Sequence, residues 1–197
     1  MTQSSESPQT AHIILQPGWH SSGPHHWQTL WEEELGGAAS RVQQQNWAVP
    51  EESAWTATLI EAIRGAPRPS VVLAHSAGCL ATVFALSAVS PAAVVLVAPA
   101  DAERAGAPVA LQSFTPIPLK PLDVPALLIT SDNDPYCSLE RARSFAAAWK
   151  ADLEIVRDGG HLNADAGFGP WPDGRLTVSQ WLRRHGLQWP GPGGGGA

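Results

Sequence analysis

The chain has 197 residues, 44% of them hydrophobic, and its 18 acidic and 12 basic side chains give a net charge of −6 at pH 7. This size fits one globular domain. The net negative charge, and the lack of a segment rich in lysine or arginine, argue against nucleic acid or an anionic membrane as partner. No apolar run approaches membrane-spanning length, and residues 1–10 lack the features of a signal peptide, so we expect a cytoplasmic protein. Two cysteines are too few for a disulfide framework and match no metal-ligand spacing.

Apolar runs and chain breakers predict strands and helices that alternate along the chain. Six segments are expected to form strands, at residues 11–16, 40–46, 70–73, 92–97, 125–130 and 152–156, of which 40–46 has only a weak strand pattern. Five segments are expected to form helices, at residues 24–35, 51–64, 79–89, 138–150 and from about 173 to 185. The alternation predicts a three-layer α/β/α sandwich around a parallel sheet of about six strands.

These elements define one predicted domain at residues 11–186. Residues 1–10 are expected to be flexible, and residues 187–197, rich in proline and glycine, are expected to be disordered. Residues 99–121 form a long stretch without hydrophobic periodicity between two predicted strands. A loop of that length in a compact domain is usually functional or mobile.

The most informative stretch, PSVVLAHSAGC at residues 69–79, predicts a strand, a sharp turn with Ser76 at its tip, and a helix. It differs at one position from the Gly-x-Ser-x-Gly motif of the nucleophile elbow, because Ala74 stands in place of the first glycine. Small neighbours are needed because bulky ones would collide across the turn. The turn would also place the backbone N–H of Ala77 at a helix N-terminus, where it can stabilise an oxyanion. A buried serine in an ordinary turn is the alternative.

A candidate acid and base follow later strands. Ligand sites in parallel sheets lie at the carboxyl ends of the strands. Ser76 follows the third predicted strand, Asp132 and Asp134 follow the fifth, and His161 follows the sixth, in the order found in α/β-hydrolases. Such a triad uses the serine to attack a carbonyl, the histidine to transfer its proton, and the carboxylate to orient the imidazole. Asp134 is favoured because Pro135 biases its backbone to an extended form, and Asp132 remains the alternative acid.

Four stretches resemble the retinoblastoma-binding-protein-9-like family of small serine hydrolases: QPGWHSSGPHHWQTLWEEEL, LAHSAGC, SDNDPYCSLERA and GGHLNADAGFGPWPDG. The resemblance covers roughly residues 13–182 and implies an α/β-hydrolase fold without a large cap domain. It implies Ser76, Asp134 and His161 as the triad. It also implies that the backbone N–H of Trp19 joins that of Ala77 in the oxyanion hole, with proline in place of the family's histidine two residues earlier.

We therefore predict hydrolysis of small acyl esters, or small amides, through an acyl-enzyme intermediate. No cofactor is expected, and no metal, because the early histidines match no ligand spacing. Without a cap, the substrate pocket is expected to come from loops, with the candidates His20, Leu111, Phe114, Ile117, Phe168 and Trp171. Acyl transfer to a nucleophile other than water, or C–C bond hydrolysis, stays open. The alternative from another class is a non-catalytic module that keeps the fold and binds a small molecule or a protein. The sequence leaves the natural substrate and the oligomeric state open.

Overall fold

The computed structural model of the protein describes residues 7–191, and a six-stranded parallel sheet forms its centre. This sheet contains β2 (His12–Gln16), β3 (Ala39–Arg41), β4 (Ser70–His75), β5 (Ala93–Val97), β6 (Ala126–Ser131) and β7 (Asp152–Val156). Two short strands, β1 (Gln9–Thr10) and β8 (Leu187–Gln188), form a separate two-stranded sheet. The α-helices are α1 (Trp27–Leu35), α2 (Glu52–Gly65), α3 (Ala77–Ala85), α4 (Leu139–Trp149) and α5 (Pro172–Arg184). Short 3₁₀ helices lie at Gly36–Ala38, Val109–Phe114 and Ala164–Ala166.

The predicted three-layer α/β/α architecture with six parallel strands is confirmed, and the observed helix ends differ by a few residues. Helix α1 begins at Trp27, three residues later than predicted, because His26 acts as its N-cap and accepts from the Gln28 N–H. Helix α3 begins at Ala77, directly after Ser76, and ends at Ala85 rather than near residue 89. The early start of α3 matters most for the site, because it brings the helix N-terminus next to the serine.

Different helices cover the two faces of the sheet. Helices α2, α3 and α4 pack on one face with buried side chains such as Trp55 and Phe145, and α1 and α5 cover the other with Trp27 and Trp181. Strands β4 and β5 are buried along their whole length, which explains their continuous apolar sequences. Within residues 7–191, no helix is both long and apolar enough to cross a membrane.

The strand order locates the site. The sheet runs β3-β2-β4-β5-β6-β7, so the chain moves outward from β2 to β3 and then crosses back to β4 on the other side of β2. The loops that follow β2 and β4 therefore diverge at the carboxyl ends of these two strands, which leaves a crevice of the kind where α/β proteins bind ligands. Ser76 follows β4, and residues 17–22 follow β2, at this point.

The two ends of the domain pair with each other, outside the predicted bounds of 11–186. Strands β1 and β8 are parallel, with Gln9 opposite Leu187, and the Ala11 N–H donates to the Gln188 carbonyl at 2.9 Å. Leu187 is buried in the core beneath α1 and α5. Residues 9–10, predicted to be flexible, and residues 187–188, predicted to be disordered, thus pair as two short strands, and Leu187 is also buried. The predicted termini at residues 1–6 and 192–197 lie outside the described residues.

Candidate active site

Ser76 lies at the tip of a strained turn between β4 and α3. Its backbone angles, φ 56° and ψ −125°, are ones that residues with a side chain rarely adopt. The surrounding chain comes close enough to require small residues. A Cβ on Gly78 would lie 2.5 Å from the carbonyl oxygens of Gln16 and Pro17, and a Cβ on Gly18 would lie 2.7 Å from the Ser76 Cβ. Ala74 is fully buried, so its single methyl group is accommodated where the elbow motif has glycine.

The structure brings Ser76, His161 and Asp134 together. The Ser76 Oγ lies 2.8 Å from His161 Nε2, and His161 Nδ1 lies 2.9 Å from Asp134 Oδ2. Because a carboxylate only accepts, Nδ1 carries the hydrogen and the Nε2 lone pair faces the Ser76 hydroxyl. The Asp134 side chain is fully buried, and its Oδ1 also accepts from the Tyr136 N–H at 2.8 Å. This arrangement has the hydrogen-bond connections that nucleophilic catalysis by a serine requires.

Asp132, the alternative acid, lies elsewhere. Its exposed side chain accepts from the Asp158 N–H at 2.8 Å, so it braces the loop after β7 rather than contacting the His161 ring. Its neighbours do the same for the next two residues of that loop. Ser131 Oγ accepts from the Gly159 N–H at 2.9 Å, and Asn133 Oδ1 accepts from the Gly160 N–H at 2.7 Å. We call these three side chains, those of Ser131, Asp132 and Asn133, the loop clamp, because they hold the segment that carries His161.

A second histidine, His75, packs beside the His161 ring, and a third, His26, packs against His75. His75 Nε2 donates to the His161 carbonyl at 3.0 Å, and the ring centroids of His75 and His26 are 4.7 Å apart. Burial, reinforced by the neighbouring His161 and His26, lowers the pKa of His75 well below its usual range. Burial, with the Arg41 guanidinium and His161 adding to it, lowers the pKa of His26 to about 4. Both rings are therefore neutral at pH 7 and add no positive charge next to His161.

The two backbone N–H groups predicted for the oxyanion hole belong to Trp19, in the loop after β2, and to Ala77, directly after Ser76. Ala77 is the first residue of α3, so its N–H has no partner within the helix, and the Trp19 N–H has no hydrogen-bond acceptor among residues 7–191. Trp19 also lines the cavity that contains Ser76, and its indole Nε1 donates to the Ala48 carbonyl at 2.9 Å. Gly18, in contact with Ser76, keeps this loop close to the elbow.

A cavity of about 270 Å³ opens above Ser76. Its lining includes the predicted His20 and Leu111 and also residues that the sequence did not indicate, among them His26, His75, Arg104, Tyr136 and Asn163. This volume lies just below the range of about 300–1,000 Å³ typical of ligand pockets.

Four predicted pocket residues do not line this cavity. Phe114 is fully buried and packs edge-to-face against two other aromatic rings of the core. Trp171 stacks on Trp31 beneath α1 and α5, and Phe168 packs against Trp171. Ile117 lies in the core with Phe114. Their apolar character reflects packing of the domain, and the prediction that they form the pocket is wrong.

The remaining candidate nucleophiles and ligands do not form a second site. Both cysteines are buried, and burial raises the pKa of Cys137 to about 12 and that of Cys79 well above its usual range, so neither is a thiolate at pH 7. Among residues 7–191, no group of three or more histidine, cysteine, aspartate or glutamate side chains is arranged to hold a metal ion. Ser76 is thus the nucleophile candidate that the geometry supports.

The chain is similar to known hydrolases in sequence and in fold. The family model for serine hydrolases matches residues 13–180. A YdeN-like hydrolase of Pectobacterium atrosepticum is 32% identical, over 90% of this chain and 92% of its own, with a TM-score of 0.79. The ydeN gene product of B. subtilis is 22% identical, over 88% of this chain and 100% of its own, with a TM-score of 0.74, and shows the shared fold. A thermophilic esterase of Thermogutta terrifontis, 14% identical over 92% of both chains, shares the fold with a TM-score of 0.68. No curated protein matches the sequence.

Proposed function

The chain belongs to the serine hydrolase family, and from this premise we propose that it hydrolyses small acyl esters, or small amides, through an acyl-enzyme on Ser76. The observation that carries the proposal is the chain of hydrogen bonds from the Ser76 Oγ through the His161 imidazole to the Asp134 carboxylate. The small cavity above the serine supports a small substrate. The closer relationship to the retinoblastoma-binding-protein-9-like family and the cytoplasmic location remain predictions from the sequence.

The acylation step uses the three side chains in distinct roles. The Ser76 Oγ forms a bond to the substrate carbonyl carbon while its proton passes to His161 Nε2, which lies 2.8 Å away. The resulting imidazolium is stabilised by the buried Asp134 carboxylate, which holds Nδ1. Collapse of the tetrahedral intermediate breaks the bond to the leaving group, which takes the proton from Nε2. A water molecule then attacks the acyl carbon and gives a proton to Nε2. Collapse of this second tetrahedral intermediate breaks the bond to the Ser76 Oγ, which takes the proton back, and releases the acid.

The charge that develops on the carbonyl oxygen requires hydrogen-bond donors. The proposal assigns this role to the backbone N–H of Ala77 and that of Trp19. The N-terminus of α3 adds a favourable electrostatic field at the same place. Donors of this kind contribute about 10²–10³-fold each in comparable sites.

A panel of p-nitrophenyl esters of increasing acyl length tests the proposal. We expect hydrolysis to depend on Ser76, so that Ser76→Ala abolishes it, and to decline for acyl chains that exceed the cavity. Ser21→Ala is a matched control, because Ser21 lines the same cavity without contacting His161 or Asp134. Equal hydrolysis by the wild type and Ser76→Ala would contradict the proposal. Product analysis separates hydrolysis from transfer of the acyl group to another nucleophile.

A further inference from the structure

Arg104 is a cation at the cavity without a carboxylate partner. It lies in the long loop between β5 and β6, and among the described residues it is the one arginine or lysine that lines the cavity above Ser76. Its guanidinium forms no ion pair within residues 7–191, and its Nη1 donates to the carbonyl of the adjacent Ala105 at 3.2 Å. Part of the side chain is accessible to solvent.

The neighbouring carboxylates are engaged elsewhere. Arg141 forms ion pairs with both Asp101 and Glu103, the two acidic residues just before Arg104. Asp101 also accepts from the Glu103 N–H at 3.1 Å, and Glu103 accepts from the Ile117 N–H at 2.9 Å. Asp101 borders the cavity, and its Oδ1 lies 3.4 Å from Arg141 Nε, so it pairs with Arg141 rather than with Arg104. Arg104 thus keeps hydrogen-bond donors and a positive charge available at the cavity.

Tyr136 connects Arg104 to the reacting centre. The guanidinium carbon lies 5.8 Å from the Tyr136 ring centroid, and that ring packs edge-to-face on the His161 ring with centroids 4.6 Å apart. The guanidinium and the His161 ring are therefore no more than about 10 Å apart. One small substrate can contact both groups.

We propose that Arg104 selects substrates that carry a carboxylate, so that the protein prefers esters of dicarboxylic acids, or esters with an acidic leaving group, over neutral esters of similar size. Guanidinium is suited to this role because its planar donors match a carboxylate. This inference rests on the proposed hydrolase function of Ser76. It goes beyond that function by naming a group that the preferred substrates contain.

Matched ester pairs test the inference with the wild type and Arg104→Gln. For the acyl side, the p-nitrophenyl monoesters of glutarate and adipate are compared with p-nitrophenyl valerate and hexanoate. For the leaving-group side, 3-carboxyphenyl acetate is compared with phenyl acetate. Spontaneous hydrolysis is subtracted in each case. Arg64→Gln, on the exposed last turn of α2, is the control for the loss of one positive charge.

We expect Arg104→Gln to lower kcat/KM by about 10–100-fold for the carboxylate-bearing ester of at least one pair, as for the loss of a charged hydrogen bond, and by much less for the neutral ester of the same pair. Arg64→Gln should change neither. Increasing salt should weaken the wild-type preference, since the charges are partly exposed. The same preference in Arg104→Gln as in the wild type, for both pairs, would overturn the inference. Absence of any hydrolysis that depends on Ser76 would instead refute the proposed function.

Discussion

The loop clamp gives a specific prediction, because Ser131 is a fully buried member of it. In Ser131→Ala the Gly159 N–H loses its acceptor at 2.9 Å, and the Asn133 side chain loses the hydroxyl that lies 2.6 Å from its Oδ1. A buried donor left without an acceptor costs about 1–3 kcal/mol. A displacement of about 1 Å at a reacting group costs about 10²-fold in rate, and His161 follows Gly159 by two residues.

We therefore expect Ser131→Ala to lower the free energy of unfolding by about 1–3 kcal/mol and kcat by about 10–100-fold. KM should change little, since Ser131 does not line the cavity. Urea unfolding and steady-state hydrolysis of p-nitrophenyl butyrate measure the two effects on the same preparation.

Ser70→Ala is the matched control for loss of a buried hydroxyl. Ser70 is also buried but begins β4, at the end of the sheet opposite to the site. We expect its kcat to stay near the wild-type value. Destabilised Ser131→Ala with an unchanged kcat would refute the reasoning, because the clamp would then stabilise the domain without positioning His161.

Three further changes test other parts of the site. Asp134→Asn should lower kcat by about 10⁴-fold because the imidazole loses the carboxylate that orients it. Asp132→Asn should retain activity in the same assay, because Asp132 lies outside the triad and the asparagine Oδ1 can still accept from the Asp158 N–H. Gly78→Ala should yield misfolded or inactive protein, seen by circular dichroism and ester hydrolysis, because its Cβ would lie 2.5 Å from two backbone carbonyl oxygens. For His26, whose pKa is lowered to about 4 from 6.5, the unfolded state binds the proton first as the pH falls. Stability present above about pH 6.5 is therefore lost toward pH 4, by about 2–3 kcal/mol. The decrease in the free energy of unfolding from pH 7 to pH 4.5, measured by urea unfolding, should be smaller for His26→Gln than for the wild type.

The fold and the three central residues could be predicted because each depends on local patterns. Buried parallel strands require continuous apolar runs, and the topology brings residues that follow such strands to one edge of the sheet. Ser76, Asp134 and His161 each follow a strand, so their order along the chain was sufficient to group them. Asp134 could be separated from Asp132 because the proline after it constrains the backbone.

The cavity lining could not be predicted, because apolar composition does not separate a packed core from a pocket. Phe114 and Trp171 have the residue types of a substrate pocket, yet each is held by other aromatic rings inside the domain. Arg104 carries no local motif, and its significance arises only because Arg141, distant in sequence, pairs with the acids beside it. Long-range pairing of this kind leaves no signal in a single sequence.

The pairing of the two ends of the domain could not be predicted from the sequence either. Residues 9–10 and 187–188 are each too short to form a stable strand by themselves and were not expected to be ordered. They pair because the fold brings the two termini together.

The most direct test of the central claim is the reaction of the folded protein with a fluorophosphonate probe, followed by peptide mapping with mass spectrometry. A serine activated by His161 should be modified once per chain, at Ser76. The modification should be absent in Ser76→Ala and strongly slowed in His161→Gln. An unmodified Ser76 in folded wild-type protein, or equal rates for the wild type and His161→Gln, would contradict the account.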